Sequence, residues 1–250
     1  MKYRQTCVFV FITTDQLCIK KHIPHSISHF SVLTDGVIGG HEYSPLNSQL
    51  AASCLSIPEI DGLKITNVSE LDIDVLRNPK VKAILYFSDI ESLTEMVLEQ
   101  QFEDASLRFP VVGGYVRRIL SRDVGKLTTF RRRFQYIVVS GPAVKATSVV
   151  ITDGISTERQ IKKKLRKLNE VSERGRRIKF RFAFMLTQNS SPKLSVESVS
   201  FREIFPGVPL TGFCHTGQIG MDYPKRRNST KLNVFQDFSS VFLMVTVYEA

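Results

Sequence analysis

Apolar and polar positions alternate along this chain with two different periods, and the alternation predicts its elements. Residues 81–87 (VKAILYF) form a short apolar run bounded by Asn78-Pro79 and Ser88-Asp89, which predicts a strand. Leu93, Met96, Val97 and Gln100 then recur at helical spacing, with Asp89 or Ser92 available as cap. Residues 109–114 (FPVVGG) return to a strand that ends in glycines, so residues 81–114 read as strand, helix, strand, the pattern of an α/β layer. Residues 136–139 and 144–151 read as two strands joined through Gly141-Pro142, a hairpin, with Asp153-Gly154 as its exit turn. Ser156 or Thr157 caps a helix whose apolar positions are Ile161, Leu165 and Leu168, with Gly175 as its stop. Phe180, Phe182 and Phe184 alternate with Lys179, Arg181 and Ala183, a half-buried strand. Residues 199–205 predict a short helix ended by Pro206, and residues 208–213 and 241–248 predict strands. Brief strands are expected at 31–33 and 63–65.

The first 30 residues carry the least pattern and read as helix or loop. Lys2 and Arg4 precede the apolar run 7–12, but Thr13, Thr14 and Asp15 end it and no small-residue cleavage pattern follows, which argues against a signal peptide. His22, His25 and His29 flank Pro24 and have no Cys or carboxylate at ligand spacing, so a solvated loop is expected there and not a metal site. The polar stretch 121–133 is the best boundary. The expected organisation is an N-terminal segment 1–30 and two subdomains, 31–125 and 130–250, in an α/β (α+β) fold of mixed sheets with flanking helices.

Composition narrows the partners. The 250 residues are 42% hydrophobic and 23% charged, which excludes a disordered tail, and 14 Gly and 4 Cys exclude a collagen-like or disulfide-dense chain. Cys7, Cys18, Cys54 and Cys214 form no CxxC pair, so reduced, mostly buried thiols in the cytoplasm or nucleus are expected. No apolar window is long enough for a transmembrane helix. The 34 Lys+Arg against 24 Asp+Glu give a formal net charge of +10, compatible with nucleic acid, an acidic protein surface or an anionic membrane. Much of the excess lies in Arg131-Arg132-Arg133, the 162–167 run, Arg174-Gly175-Arg176-Arg177 and Lys225-Arg226-Arg227. Lys162, Lys163, Arg166, Lys167, Arg174, Arg176 and Arg177 form a candidate basic docking surface, weighed against a merely solvated helix face. Nucleic acid would need stacking aromatics on the same surface, and Phe at period 2 reads as core.

The most distinctive segment is Phe205-Pro206-Gly207-Val208-Pro209-Leu210-Thr211-Gly212-Phe213-Cys214-His215-Thr216-Gly217-Gln218-Ile219-Gly220. Its glycines permit close backbone approach, so a ligand could sit over the turn, while steric need alone explains them equally simply. No phosphate-binding or dinucleotide fingerprint is present. Cys214 and His215 are adjacent, with Asp222 nearby, but neighbours in a strand point to opposite faces, so a catalytic pair is not expected and the chain reads as non-enzymatic.

This segment resembles the C-terminal signature of the FIST family. Ile60-Asp61-Gly62-Leu63-Lys64-Ile65, Leu76-Arg77-Asn78-Pro79, Val111-Val112-Gly113-Gly114, Phe182-Ala183-Phe184 and Phe238-Ser239-Ser240-Val241 fit the same resemblance in the same order, over roughly residues 30–250. The resemblance implies two adjacent FIST subdomains. Through bacterial members it implies a sensory small-ligand module, with Gly113, Gly114, Gly212, Phe213, Gly217, Gln218 and Gly220 as candidate ligand-binding residues. Through F-box-bearing members it implies the substrate-receptor half of a cullin-RING ubiquitin ligase, whose partners are protein substrates and ligase subunits. It implies no cofactor, metal or catalytic site. The family's turn carries Glu where this chain has Gln218, which replaces a charge with a neutral amide. An F-box needs a helical segment of about 40 residues, which the first 30 residues do not supply.

Overall fold

The computed structural model of the chain describes residues 5–14, 23–24, 26–40, 42–43, 51–68, 70–90, 108–122, 130–169, 175–188, 193–215, 217–224, 235–236 and 240–249. Within them one chain path is traced three times. The first unit runs β1 (Gln5–Ile12), β2 (Ser28–Leu33), β3 (Gly36–Ile38), β4 (Glu42–Tyr43) and β5 (Ala52–Pro58). β6 (Lys64–Val68) and the short helix α1 (Ile73–Arg77) lead to the second unit. That unit is β7 (Val81–Ser88), β8 (Val111–Tyr115), β9 (Arg118–Arg122), β10 (Phe130–Arg132) and β11 (Phe134–Ser140). β12 (Val144–Ile151), α2 (Glu158–Leu165) and a 3₁₀ turn (Arg166–Asn169) lead to the third. It comprises β13 (Ile178–Thr187), α3 (Leu194–Ile204), β14 (Leu210–Cys214), β15 (Gln218–Ile219), β16 (Phe235–Gln236) and β17 (Ser240–Tyr248).

In each unit the first two strands pair in parallel: β1 with β2, β7 with β8, β13 with β14. The last strand returns antiparallel to the first: β5 on β1, β11 on β7, β17 on β13. The two strands between leave for a different sheet. β3 and β4 extend the sheet of β14, β9 and β10 that of β2, and β15 and β16 that of β8. The exchange is cyclic and yields three mixed sheets, ordered β10-β9-β2-β1-β5, β16-β15-β8-β7-β11-β6 and β12-β17-β13-β14-β3-β4.

All three sheets turn one face to a shared core. Cys7, Phe9 and Phe11 of β1, Leu85 and Phe87 of β7, Phe182 and Phe184 of β13, and Leu243 and Val245 of β17 belong to it. Aromatic rings bridge the sheets: Phe9 meets Phe184 with centroids at 5.0 Å, Phe30 meets Phe87 at 4.8 Å, and Phe11 stacks on Phe213 at 5.6 Å. Burial of each such ring contributes about 1.5–3 kcal/mol. The other faces carry smaller layers: Val8, Val10 and Ile12 on the first sheet, Tyr86, Tyr136 and Ile219 on the second. On the third sheet Met185, Phe242 and Met244 are covered by Ile161, Leu165 and Leu168 and by Leu194, Phe201 and Phe205. α2 forms where expected. Thr157 caps it, and Gln160 answers back to the Thr157 backbone in a capping box.

Several expectations are corrected. In the segment expected as helix or loop, the described residues include β1 and the start of β2; β1 lacks alternation because both of its faces are buried. His29 is fully buried on β2 and not in a solvated loop, while His22 and His25 lie outside the described residues. β11 and β12 do not form a hairpin; β11 is paired between β7 and β6, and β12 with β17. The stretch 121–133, expected as a boundary, includes the end of β9 and all of β10, which pair with each other in the first sheet. The helix expected at 93–100 lies outside the described residues.

Candidate functional site

The glycine turn lies where the three units cross. In each, the residue after the second strand donates its backbone N–H to the last carbonyl of the first strand. Thr34 donates to Ile12 at 2.9 Å, Val116 to Ser88 at 2.8 Å and His215 to Thr187 at 3.0 Å. One residue further on the bonds pass between units: Asp35 N to the Cys214 carbonyl at 3.2 Å and Arg117 N to the Leu33 carbonyl at 2.8 Å. The side chains follow. The Asp35 carboxylate takes His215 Nδ1 at 2.5 Å and forms an ion pair with the Arg117 guanidinium. The Asp35 side chain is 8% exposed and that of Arg117 56%, so solvent screens the Arg117 half and the His215 half is the better insulated. The sequence suggested Asp222 as the carboxylate near His215. Asp222 instead accepts from Val150 N at 2.9 Å and pairs with Lys164 at 2.5 Å. Cys214 is buried in the layer beneath the helices with Met185 and Ile38, away from His215, as strand alternation requires.

The expected ligand-binding glycines meet here, and neighbouring atoms fill the space beside them. Gly113 and Gly212 occupy equivalent positions in units two and three. A Cβ on Gly113 would lie 1.8 Å from the Tyr86 carbonyl oxygen, and one on Gly212 1.7 Å from that of Met185. These glycines let parallel strands approach. Gly217 has φ +67°, and a Cβ there would enter the Tyr115 ring. Gly114 faces the Gly217 carbonyl and Gly220 packs against Val241. Phe213 belongs to the shared core. A cleft of about 200 Å³ lies elsewhere, lined by Val37, Gly39, Gly40, Ala52, Ser53, Cys54 and Leu210.

Gln218 stands apart. By pairing it corresponds to Val37 of unit one and Ile119 of unit two, both fully buried in the apolar core. Gln218 is 2% exposed and donates from Nε2 to the His215 carbonyl at 2.6 Å, closing the turn. Its Oε1 is buried and accepts no hydrogen bond among the described residues. The sequence singled out Gln218 but not Asp35, which is 180 positions from His215; only the topology joins them.

Beside the turn, Ser240 Oγ lies 2.6 Å from Thr187 Oγ1 and donates to Glu197 Oε2 at 2.5 Å. Burial raises the Glu197 carboxyl above the ordinary glutamate range, opposed by the Ser240 hydrogen bond and Lys193.

The expected basic surface is partly neutralised. Lys162 pairs with Glu158 and, at 2.6 Å, with Glu203. Arg177 pairs with Glu249 at 3.5 Å, and Arg176 lies over the Tyr248 ring at 5.0 Å. Lys163 and Arg166 point to solvent, and Lys167 is half-buried. Arg174 and residues 225–227 lie outside the described residues.

No known family's sequence profile matches the chain. Two curated proteins do: F-box only protein 22 of Pongo abelii and of Homo sapiens, each 23% identical over 237 residues, which cover 82% of this chain. The chain is distantly similar to F-box only protein 22. It spans 58% of the length of those relatives.

Two outcomes follow from this geometry. Gln218→Glu exchanges the Nε2 donor for a carboxylate oxygen against the His215 carbonyl, and it should cost about 1–3 kcal/mol in urea unfolding; an unchanged midpoint would contradict the bond's role. Glu197 has a folded pKa above its unfolded one, so it favours the folded state when protonated. Stability is therefore lost as pH rises from the ordinary glutamate value through the raised one. Glu197→Gln should remove that slope, measured as melting temperature against pH.

Proposed function

We propose that this chain is a non-catalytic, FIST-type protein-binding module that works as a substrate-recognition part of an F-box ubiquitin ligase, in the cytoplasm or nucleus and without a cofactor. The observation that carries the reading is the alignment with F-box only protein 22 over 82% of the chain. The glycine turn is consistent with it, because the candidate glycines support close strand contact. The role is distributed: substrate is held on a surface, and the ligation chemistry belongs to other subunits. Affinity purification of the intact gene product should recover ligase adaptor and cullin subunits; their absence would overturn the reading.

A second reading has one observation in its favour. The buried, unpartnered Oε1 of Gln218, beside the Asp35–His215–Arg117 cluster, is an acceptor that a small ligand with an N–H or O–H group would satisfy. Under this reading the module is a ligand sensor. A thermal-shift panel of amino acids on the purified chain should then raise the melting temperature for a donor-bearing ligand, and Gln218→Leu should abolish the shift. A flat panel rejects it.

A further inference from the structure

The outer surface of the two helices on the third sheet carries two independent features that no partner among the described residues explains. The first is a row of cations. Arg159, Lys163 and Arg166 recur at i, i+4 and i+7, opposite the buried Ile161, Leu165 and Leu168, and all three are exposed. The row spans about 10 Å at 1.5 Å per residue. Among the described residues, none of these three side chains has an ion-pair or hydrogen-bond partner. The acids of the helix pair are already committed: Glu158 and Glu203 share Lys162, and Glu197 is buried on Ser240. Other cations nearby are engaged too, Lys164 by Asp222 and Lys193 by Asp153 at 3.7 Å.

The second feature is apolar. Val196 is 39% exposed and Val199 47%, at i and i+3 on the outer side of α3, while Phe201 and Phe205 of the same helix are buried. Lys193–Asp153 ties the starts of the two helical segments and Lys162–Glu203 ties them further along, so α2 and α3 run side by side in the same direction. The valines and the cation row therefore share one surface. No exposed aromatic side chain among the described residues lies on either helix, which removes the stacking platform that single-stranded nucleic acid would use.

We infer that this α2–α3 surface docks an acidic amphipathic segment of a partner protein, with apolar anchors on Val196 and Val199 and carboxylates facing Arg159, Lys163 and Arg166. This deepens the protein-binding reading above and rests on it. The complementarity is of both kinds: a helix-in-groove partner supplies apolar side chains at i, i+3 or i+4 and i+7, and its acidic flank meets the unpaired cations.

The test uses the purified full chain and a fluorescein-labelled peptide of about 14 residues, four helical turns, with Leu at helical spacing on one face and Glu on its flanks. A peptide with Lys in place of Glu and a short DNA duplex are the comparisons. Saturable binding of the acidic peptide is expected, weakening as salt rises from about 50 to 200 mM. Arg159→Glu, Lys163→Glu and Arg166→Glu together should reduce affinity by about tenfold or more, and Val196→Ser with Val199→Ser should reduce it independently at constant salt dependence. All five positions are solvent-facing, so melting curves of both variants should match that of the parent. Backbone NMR shifts on titration should centre on α2 and α3. No saturable binding, unchanged affinity in the charge-reversed variant, shifts centred elsewhere, or preference for the duplex would each overturn the proposal. A failed titration removes this surface, while co-purification with ligase subunits still decides the broader reading.

Discussion

The structure depends on the exchange of hairpins among three units. No unit completes its own sheet. The two strands at one edge of the first sheet come from unit two, those at one edge of the second from unit three and those at one edge of the third from unit one. Each exchanged strand must leave its parallel pair and cross to another sheet at the same place, so the crossings are fixed together: Asp35 N on the Cys214 carbonyl, Arg117 N on the Leu33 carbonyl, and Tyr115 N on the Gly217 carbonyl at 3.1 Å. Buried backbone groups at three sheet corners have no water to turn to, so these bonds are close to obligatory. The Asp35–His215–Arg117 cluster is placed at the same vertex. It joins side chains from all three units: the partly buried Asp35 carboxylate meets the Arg117 guanidinium of unit two and the His215 imidazole of unit three.

This interdependence explains which parts of the fold were legible from sequence. The strong local signals were readable because they are local: the 81–88 run, the Phe180/Phe182/Phe184 alternation, the Thr157 cap and the helix closed by Phe205-Pro206. β5 was also written in period 2, with Leu55 and Ile57 inward and Cys54 and Ser56 outward, but those two large apolar side chains are all that marks it. β1 was hidden for a different reason. Packed on both faces, it shows a continuous apolar run from Cys7 to Ile12 that resembles the start of a leader as much as a strand. The pairing of β11 and β12 was misread because sequence proximity and Gly141-Pro142 suggest a hairpin, whereas long-range partners claim both strands. A two-part division was natural for a chain whose repeats share a path and almost no residues.

The candidate site was legible in part for the same reason. Glycines are conspicuous in sequence, and Gly113 and Gly212 could be singled out without knowing that they are counterparts. Their purpose needs the register, since only pairing with Tyr86 and Met185 shows a carbonyl where a Cβ would go. Asp35 carries no local signal at all. It follows β2 in an ordinary Thr-Asp-Gly turn, and its partners lie in the other two units.

Three copies of one path also provide an internal control, because equivalent positions face equivalent demands. Val37 and Ile119 show what the core asks for at this register position of an exchanged strand: an aliphatic side chain with no polar atoms. Gln218 at the same position brings an amide whose donor is used and whose acceptor is not, at a desolvation cost of about 1–3 kcal/mol for the unpaired oxygen. Folding alone does not require that residue, since the other two units close with aliphatic side chains. The same comparison applies outside the core. α2 and α3 supply Leu165 and Phe201 to cover the third sheet, which accounts for their inner faces. It leaves the solvent-facing valines, and the cations that have no partner among the described residues, unaccounted for. Residues that the repeated architecture does not need are where selection for something besides folding is most readily seen, and in this chain they lie at the unit vertex and on the helical face of the third sheet.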